Sequence, residues 1–261
     1  MDFSKIKDLK LITSSEHQNS QTFLGKYNNN DIIIKIKGIT DYDFDFNKAT
    51  NLNQIMNNDR FYKYICNNIS QYEIIIVYPV LEEDYHKYLC KRKRIIETPE
   101  MYYTKIYPQI INQDLAWIDN IINGVKETET IVYSDENIVM IPDLKWSSKN
   151  IDDMYYLVIF KNKNLRSIRD LNQSYLPLLK KTKEICINKI NELHSINSNQ
   201  LRLYFHYHPS FWQLHLHINL ITNPWHGASI DFAHLLTSVC MNIELVNDYY
   251  QKANIEINEI M

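Results

Sequence analysis

Six of the nine histidines lie between positions 206 and 234, and this cluster is the part of the sequence best suited to chemistry. An imidazole titrates near neutral pH, so it can act as a nucleophile, a proton donor or acceptor, or a metal ligand. Apolar and polar residues alternate through the cluster, which predicts two antiparallel strands, 202–208 and 213–221. The turn over 209–212 would join them as a β-hairpin.

The predicted hairpin brings several imidazoles together. Successive side chains of a strand point to opposite faces, so His215 and His217 share one face of the second strand. A four-residue turn that closes in register fixes the partners across the hairpin. The expected opposite pairs are His208 with Gln213, His206 with His215, and Tyr204 with His217. The imidazoles of His206, His215 and His217 would then converge on one patch.

Three interpretations of this patch are open. The histidines could be structural and hydrogen-bonded, although three neighbouring imidazoles would repel one another whenever they became charged. They could form a zinc site, because His215 and His217 plus His206 from the facing strand supply three nitrogen ligands and leave one position open. They could also catalyse nucleophilic attack on phosphorus, in which a neutral imidazole attacks and donor groups hold the phosphates.

The N-terminal third must fold from strands with helical interruptions. Two β-branched runs predict strands over 31–37 and 73–79, and a short helix is expected over 46–57. A charged helix is predicted over 82–94, ending in the basic run Lys91–Arg94. This run is typical of a solvated helix face, with nuclear import or a phosphate contact as the alternatives. The sequence Glu97-Thr98-Pro99 follows it, and we expect a hinge near 91–100.

The remainder of the chain supplies the elements that position the hairpin. A long amphipathic helix is expected from Leu176 through Leu193, because apolar residues recur there at helical spacing, with Asn172 or Ser174 as its cap. The other predicted elements are a helix over 107–123 that carries Trp117, strands over 138–144 and 154–161, a last helix over 231–243 and a strand-like tail over 253–260.

Composition limits the classes of function. The chain has 261 residues, 45% hydrophobic and 23% charged, which is typical of a folded protein of one large or two small domains. Its net charge of -3 and pI of about 6.3 give no sign of the basic surface that binds polyphosphate backbones. The four glycines are too far apart for a dinucleotide-binding or P-loop motif.

The same composition bears on the compartment. No apolar run reaches the roughly 18 residues of a membrane helix, and the first residues lack the apolar core of a signal peptide, so we expect an intracellular protein. The four cysteines form no CxxC pair and are expected to be reduced core residues.

Several segments resemble one protein family at once. The run Gln213–Leu220 resembles the HφHφHφφ signature of the histidine triad superfamily of nucleotide hydrolases and transferases, and Tyr204–Trp212 resembles the preceding segment of scavenger mRNA-decapping enzymes. The resemblance extends over about 58–236 and leaves the first fifty residues unmatched. Further segments that follow this family in order and spacing are Ile141–Trp146, Asp152–Tyr156, Ile168–Leu171 and Leu176–Leu179.

The resemblance implies a reaction and roles for individual residues. Members of that family cleave the triphosphate bridge of m7GpppN or of short capped RNA fragments and release m7GMP. His215 would be the nucleophile and would form a covalent nucleotidyl-histidine intermediate, with no metal or cofactor. His206 and His217 would contact the phosphates and the departing oxygen. The groups implied to hold the phosphates are Ser210, Lys145 and Lys87.

The resemblance also implies a pocket for the cationic 7-methylguanine base. Trp117 would stack on the base and Leu144 would close its other face, because an aromatic face attracts a cationic ring. Glu127 and Asp143 would lie at the base edge, and Asn58 in the N-terminal wall of the pocket. Without the resemblance, Trp117 would be a core aromatic residue of a helix and Glu127 a solvated charge.

Three positions depart from the family pattern. Gln213 replaces the first histidine of the triad, which removes a titrating group but keeps a hydrogen-bonding side chain. Phe232 stands where a basic residue is expected, so one phosphate contact would be lost. Phe61 replaces a tyrosine beside Asn58.

We therefore predict an α+β protein of two domains. Residues 1–95 would form an N-terminal dimerisation and lid domain of mixed strands and helices. Residues 96–261 would form a C-terminal histidine triad domain with an antiparallel sheet and a long packed helix. The expected assembly is a homodimer in the cytoplasm or also the nucleus, which binds the m7G cap dinucleotide or short capped RNA and neither DNA nor membranes. The rival functions are a general dinucleoside polyphosphate hydrolase and a non-catalytic cap-binding relative.

Overall fold

The structure is a computed structural model, and the chain separates into two compact units. The first unit comprises Met1–Lys93 with the extreme C-terminus, and the second comprises Arg94–Glu259. The predicted domain boundary, after residue 95, lies two residues C-terminal to the observed boundary between these units. The backbone alone is described for Asn58 and Lys87. The residues that the structure describes are 1–15, 19–38, 52–58, 60–67, 71–88, 92–124, 130–143, 146, 150–223 and 225–260.

The first unit contains an antiparallel sheet of six strands in the order β1-β2-β3-β6-β5-β4. Its core is built from alternate residues of the two central strands, including Ile32, Ile34, Ile74 and Ile76, all with no exposed surface. The elements are a 3-10 turn at Phe3–Lys5, β1 (Ile6–Ser15), β2 (Ser20–Tyr27), β3 (Asn30–Lys37), β4 (Leu52–Asn58), β5 (Phe61–Asn67), β6 (Gln71–Val77) and α1 (Glu82–Tyr88).

The strands predicted over 31–37 and 73–79 are confirmed as β3 and β6. The helix predicted over 46–57 is wrong for residues 52–57, which form β4, and residues 46–51 lie outside the described part of the chain. Pairing with β5 satisfies the backbone groups of β4, and such tertiary pairing overrides weak helix propensity.

The second unit contains an antiparallel six-stranded sheet in the order β13-β11-β12-β10-β9-β8, and β7 pairs with β14 in a separate two-stranded sheet. Short 3-10 turns occur at Ile151–Asp153, Ile168–Asp170, Gln173–Tyr175, Ser198–Gln200 and His226–Ala228. The strands are β7 (Arg92–Glu97), β8 (Tyr133–Ser134), β9 (Ile138–Pro142), β10 (Tyr155–Phe160), β11 (Leu201–His206), β12 (His215–Leu220), β13 (Ala233–Leu235) and β14 (Ile255–Ile260). The helices are α2 (Pro99–Met101), a π-helical turn (Tyr102–Ile106), α3 (Tyr107–Ile110), α4 (Ala116–Ile122), α5 (Leu176–His194), α6 (Leu236–Leu245) and α7 (Tyr249–Lys252).

The two faces of the larger sheet in this unit have different partners. One face packs against α5 and α6 in a core that includes Leu216, Phe205 and Leu179. The opposite face carries His215 and His217, because they pair in register with Ile159 and Leu157 of β10. Helix α4 covers the β9 and β10 part of that face with Ile118 and Ile121 and leaves the histidines beside it.

Two predicted helices take a different form. The helix predicted over 107–123 is broken into α3 and α4, because the Asp114 carboxylate accepts a hydrogen bond from Ala116 N and starts a new helix. The helix predicted over 82–94 ends at Tyr88, and the basic residues that follow lie on β7, which pairs with β14. The interpretation of 92–94 as a helix face is therefore wrong.

The other predicted elements of this unit are present with shifted ends. The long amphipathic helix is confirmed as α5, and Asn172 caps the 3-10 turn that precedes it. The last helix begins at Leu236 rather than at residue 231, because 233–235 pair with β11. Among the described residues, no helix combines the length and the apolar character needed to cross a bilayer.

Candidate active site

The hairpin of β11 and β12 brings three imidazoles together. His206 ends β11, His215 begins β12, and Tyr204 pairs with His217 as predicted. The ring nitrogens of His206, His215 and His217 that could bind a common partner lie within 4.8 Å of one another. The predicted convergence of these three imidazoles is confirmed.

The connection between the two strands is longer than predicted. It spans 207–214 rather than 209–212, and His208 does not pair with Gln213. Instead, His208 Nε2 lies 2.5 Å from the Glu97 carboxylate, 111 residues away in sequence. Gln213 also leaves the ladder, because its side-chain amide donates to the carbonyls of Phe160 and Asn162 at 2.6 and 2.9 Å. The hydrogen bonds of His208 and Gln213 to these distant groups replace the two further backbone pairs that a shorter turn would have formed.

His215 is held in one tautomer by its backbone surroundings. Its Nδ1 lies 2.7 Å from the carbonyl oxygen of Gln213, and a carbonyl can only accept a hydrogen bond. The proton of the neutral ring therefore sits on Nδ1, and the lone pair is on Nε2. The Phe211 ring stacks on the imidazole with centroids 3.9 Å apart and an interplanar angle of 18°. Only 2% of His215 is exposed, so the ring has little freedom to turn.

His217 lies between two tyrosines. Its Nδ1 shares a 2.8 Å hydrogen bond with the Tyr155 hydroxyl, and its ring stacks with those of Tyr155 and Tyr204 at 5.6 and 5.4 Å. Burial raises the pKa of Tyr155, and the nearby Tyr204 and Asp143 raise it further, so this phenol stays neutral at physiological pH. The tyrosines therefore fix the orientation of His217 without adding charge.

His206 is fixed by a close approach of the backbone. Its Nε2 donates to the carbonyl of Gly227 over 2.8 Å, and its ring centroid is 3.9 Å from that of His217. A Cβ atom at position 227 would lie 2.5 Å from His206 Nε2, closer than atoms can pack. Glycine at this position therefore allows His206 to reach the site.

Other predicted site residues are distributed around the three histidines. Trp117 on α4 is 45% exposed and meets Phe211 edge to face at 5.0 Å, so it is connected to His215 through one intervening ring. Asp143 follows β9, and beyond the effect of burial its charge raises the pKa of Tyr155 and of Tyr204, which both lie beside His217. Ser210 is exposed in the connection that carries Phe211. Glu127, Leu144 and Lys145 lie outside the described residues, and Asn58 and Lys87 belong to the other unit, with their side chains outside the description.

A buried ionic cluster supports the connection and was not predicted. Arg169 is 1% exposed, and its Nη2 donates to the Glu97 carboxylate at 2.7 Å. Its Nε donates to the Tyr207 hydroxyl at 2.8 Å, and Tyr207 in turn donates to Glu97. Burial alone would raise the pKa of Glu97, but hydrogen bonds from His208, Tyr207 and Arg169 lower it below the ordinary value. Glu97 is therefore a buried carboxylate.

Phe211, Tyr155 and Gly227 are further site residues that the sequence interpretation missed. The strand register could have identified Tyr155, because it lies in β10 directly opposite Asn219 on the histidine face. Phe211 and Gly227 lie outside the strands, and no periodic pattern marks their contacts.

The site could also hold a metal ion. The three imidazoles are the group of potential ligands found among the described residues, and their nitrogens lie within 4.8 Å. Zinc at about 2.0 Å from each nitrogen would require these atoms to come closer together. A hydrogen bond from the second ring nitrogen to a backbone carbonyl, as in His206 and His215, occurs in metal sites and in nucleophilic sites alike.

The fold and the site together define a class of protein. An antiparallel sheet backed by a long helix, with an HxH strand and a third histidine across the hairpin, is the arrangement of a histidine triad hydrolase. Residues 116–229 match the family model described as scavenger mRNA decapping enzyme C-term binding. The chain is 33% identical over 217 residues to an m7GpppX diphosphatase of Ascaris suum, a match that covers 79% of this chain and 72% of that protein. It therefore belongs to the m7GpppX diphosphatase family.

Two further similarities were found. An m7GpppX diphosphatase of Mus musculus is 33% identical over 71% of this chain, and the match covers 57% of the mouse protein, little more than half of its length. A crystal structure of the aprataxin ortholog Hnt3 in complex with DNA covers 48% of this chain and 74% of its own chain, with 16% identity and a TM-score of 0.35. The family assignment rests on the sequence relatives.

Proposed function

We propose that this chain hydrolyses the 5′–5′ triphosphate bridge of m7GpppN caps or short capped RNA fragments and releases m7GMP and a nucleoside diphosphate or diphosphate-ended fragment. The observation that carries the proposal is the His215 tautomer. A hydrogen bond to the Gln213 carbonyl keeps the proton on Nδ1 and leaves the lone pair on Nε2, as a nucleophilic imidazole requires. The relatives named m7GpppX diphosphatase supply the substrate class.

The reaction takes place in two displacements. In the first, the Nε2 lone pair of His215 forms a bond to the phosphorus of the m7G nucleotide. The bond from that phosphorus to the bridging oxygen breaks, and its electron pair leaves with the nucleoside diphosphate. In the second, water attacks the same phosphorus, the P–N bond breaks, and the electron pair returns to Nε2 while the proton of water is released. Each step breaks one phosphorus bond as it forms another.

The neighbouring histidines suit the charge that develops. The ring centroids of His206 and His217 lie 3.9 Å apart beside His215. His217 can donate to a phosphate oxygen or to the departing oxygen from Nε2 when its Nδ1 accepts from the Tyr155 hydroxyl. His206, whose Nε2 proton is donated to Gly227, can donate from Nδ1 when its ring is protonated. Donors that face developing charge accelerate the reaction when they bind the transition state more strongly than the substrate. We assign this role to these two imidazoles.

Base recognition falls to Trp117 and Asp143. The exposed Trp117 ring offers a face to the cationic 7-methylguanine, and its contact with Phe211 keeps it near His215. Asp143 adds negative charge on the Tyr155 side of the site. Glu127, Leu144, Lys145, Lys87 and Asn58 are further contacts that we infer from the resemblance to the family.

The first test is product formation from m7GpppG, GpppG and ApppA in EDTA, for the wild type, His215→Asn and the control His194→Asn. His194 bonds Tyr156 at the end of α5, so its loss removes an imidazole away from the triad. We expect m7GMP from the wild type and the control and none from His215→Asn. Equal cleavage of all three substrates would indicate a general dinucleoside polyphosphate hydrolase. Cap binding without product would indicate a regulatory relative, and inhibition by EDTA a metal site.

We also propose that the N-terminal domain, residues 1–95, closes over the site and forms a homodimer, in the cytoplasm or also the nucleus. The resemblance of part of this domain to the decapping family supports the proposal. Light scattering coupled to size exclusion is expected to give about twice the 31.2 kDa chain mass. A monomer mass across the concentration range would contradict the dimer.

A further inference from the structure

Among the described residues, Phe211 makes the closest ring contact of the proposed nucleophile. Its ring lies over His215 with centroids 3.9 Å apart and planes inclined by 18°, so face meets face. The hydrogen bond from His215 Nδ1 to the Gln213 carbonyl, in contrast, lies in the plane of the imidazole. Phe211 thus contacts a face of the imidazole, where it meets the π-system rather than the nitrogen atoms.

The surroundings of Phe211 limit the access of water to this contact, because His215 is 2% exposed. Phe211 is half-buried and packs against the apolar cluster in which Ile118 and Ile121 of α4 meet β9 and β10. Trp117 contacts it at 5.0 Å with ring planes 82° apart. An electrostatic contact in such a place is screened less than one in water.

The proposed reaction changes the charge of the ring that Phe211 covers. Before attack, His215 is neutral, with a proton on Nδ1 and a lone pair on Nε2. Once Nε2 is bonded to phosphorus and Nδ1 keeps its proton, the imidazole carries a positive charge. An aromatic face attracts a cation through its quadrupole, and it attracts a neutral ring much less.

From this geometry we infer that Phe211 is a positioning residue that stabilises the N-phosphoryl imidazolium of His215 through its aromatic face, an inference that rests on the proposed function. The contact is stronger in the transition state of the first displacement than in the ground state, so it raises the rate constant of that displacement rather than the affinity for substrate. A cation–π contact of the usual size corresponds to about twofold to thirtyfold in rate.

Fluorinated phenylalanines test this inference, because fluorine withdraws the negative charge from the ring face while the shape of the side chain is nearly kept. Phenylalanine, difluorophenylalanine and pentafluorophenylalanine are placed in turn at position 211, and the rate of release of GDP, the product of the first displacement, is measured in a single turnover of m7GpppG. We expect the rate constant to fall stepwise, by about twofold to thirtyfold over the series, with KM little changed. The same series at Phe205, which is buried on the opposite face of β11, is the control and should leave the rate unchanged.

A second readout does not depend on the substrate. An NMR titration of the His215 ring, assigned with His215→Asn, should show proton uptake moving to lower pH along the fluorinated series, because the protonated ring is also a cation. Equal rates and equal titrations across the series at position 211 would overturn the inference and leave the proposed function intact. Ordered titrations with no release of m7GMP by the wild type would support the contact and refute the proposed function.

Discussion

Replacing Arg169 with methionine should strongly destabilise the second unit. The guanidinium donates to the Glu97 carboxylate at 2.7 and 3.0 Å, and its Nη1 donates to the carbonyls of Tyr250 and Ala253 at 2.7 and 2.9 Å. Neither side chain of the ion pair is more than 1% exposed. Methionine fills much of the space but supplies no donor, so the Glu97 carboxylate would stay buried without its cation.

The expected cost follows from these contacts. Removing one partner of a buried ion pair costs about 3 to 5 kcal/mol, chiefly because the remaining charge is uncompensated. The two carbonyls that lose their donor act in the same direction. We therefore expect the free energy of unfolding to fall by about 4 kcal/mol, a large share of the roughly 5 to 15 kcal/mol of a typical domain.

Urea unfolding followed by tryptophan fluorescence measures this loss in the second unit alone. All four tryptophans, Trp117, Trp146, Trp212 and Trp225, belong to that unit. The matched control is Lys189→Met, which breaks the more exposed pair of Lys189 with Glu192 and should cost less than about 1 kcal/mol. The double variant Arg169→Met with Glu97→Gln should cost less than the sum of the single variants, because no unpaired charge remains. A cost of Arg169→Met below about 1 kcal/mol would refute this reasoning.

Three further predictions concern the site and its support. His206→Ala should lower kcat more than it raises KM in steady-state hydrolysis of m7GpppG, and a large loss of affinity at unchanged turnover would contradict the role of His206. Gln213→His should give no gain in turnover and should destabilise the protein by about 1 kcal/mol in urea, because histidine cannot donate to both carbonyls that the amide reaches. The stability of the wild type should fall as the pH drops below about 4.5, because Glu97 has a lowered folded pKa and its contribution is lost as it takes up a proton. Glu97→Gln should flatten that part of the pH profile.

Local patterns predicted much of the hairpin that carries the three histidines. Period-2 alternation predicted that His215 and His217 share a face, and the register of Tyr204 with His217 followed from it. The ends of the hairpin could not be predicted in this way. His208 leaves the ladder for Glu97, which is 111 residues distant, and no local pattern encodes a partner so far away in sequence.

Two predicted helices differ from the structure for separate reasons. The helix predicted over 46–57 is a strand over residues 52–57, because β5 pairs with it, and the helix predicted over 107–123 breaks where the Asp114 side chain bonds the backbone of Ala116. The position of His206 beside His215 and His217 followed from the predicted hairpin register, whereas Trp117 and Asp143 were proposed from the resemblance to the family. The resemblance could not identify Phe211 as a partner of His215, because that contact arises from the path of the 207–214 connection.

The close approach at Gly227 constrains how this sequence can evolve. The chain contains only four glycines, and one of them lies where a single added carbon would meet the imidazole of His206. A mutation at this codon would therefore act like a mutation of His206 itself, although residue 227 contributes only its backbone to the site. In a deep mutational scan selected for cap turnover, position 227 should tolerate no replacement, and mutations elsewhere that move the backbone of the 226–228 turn outward would be the ones able to rescue it.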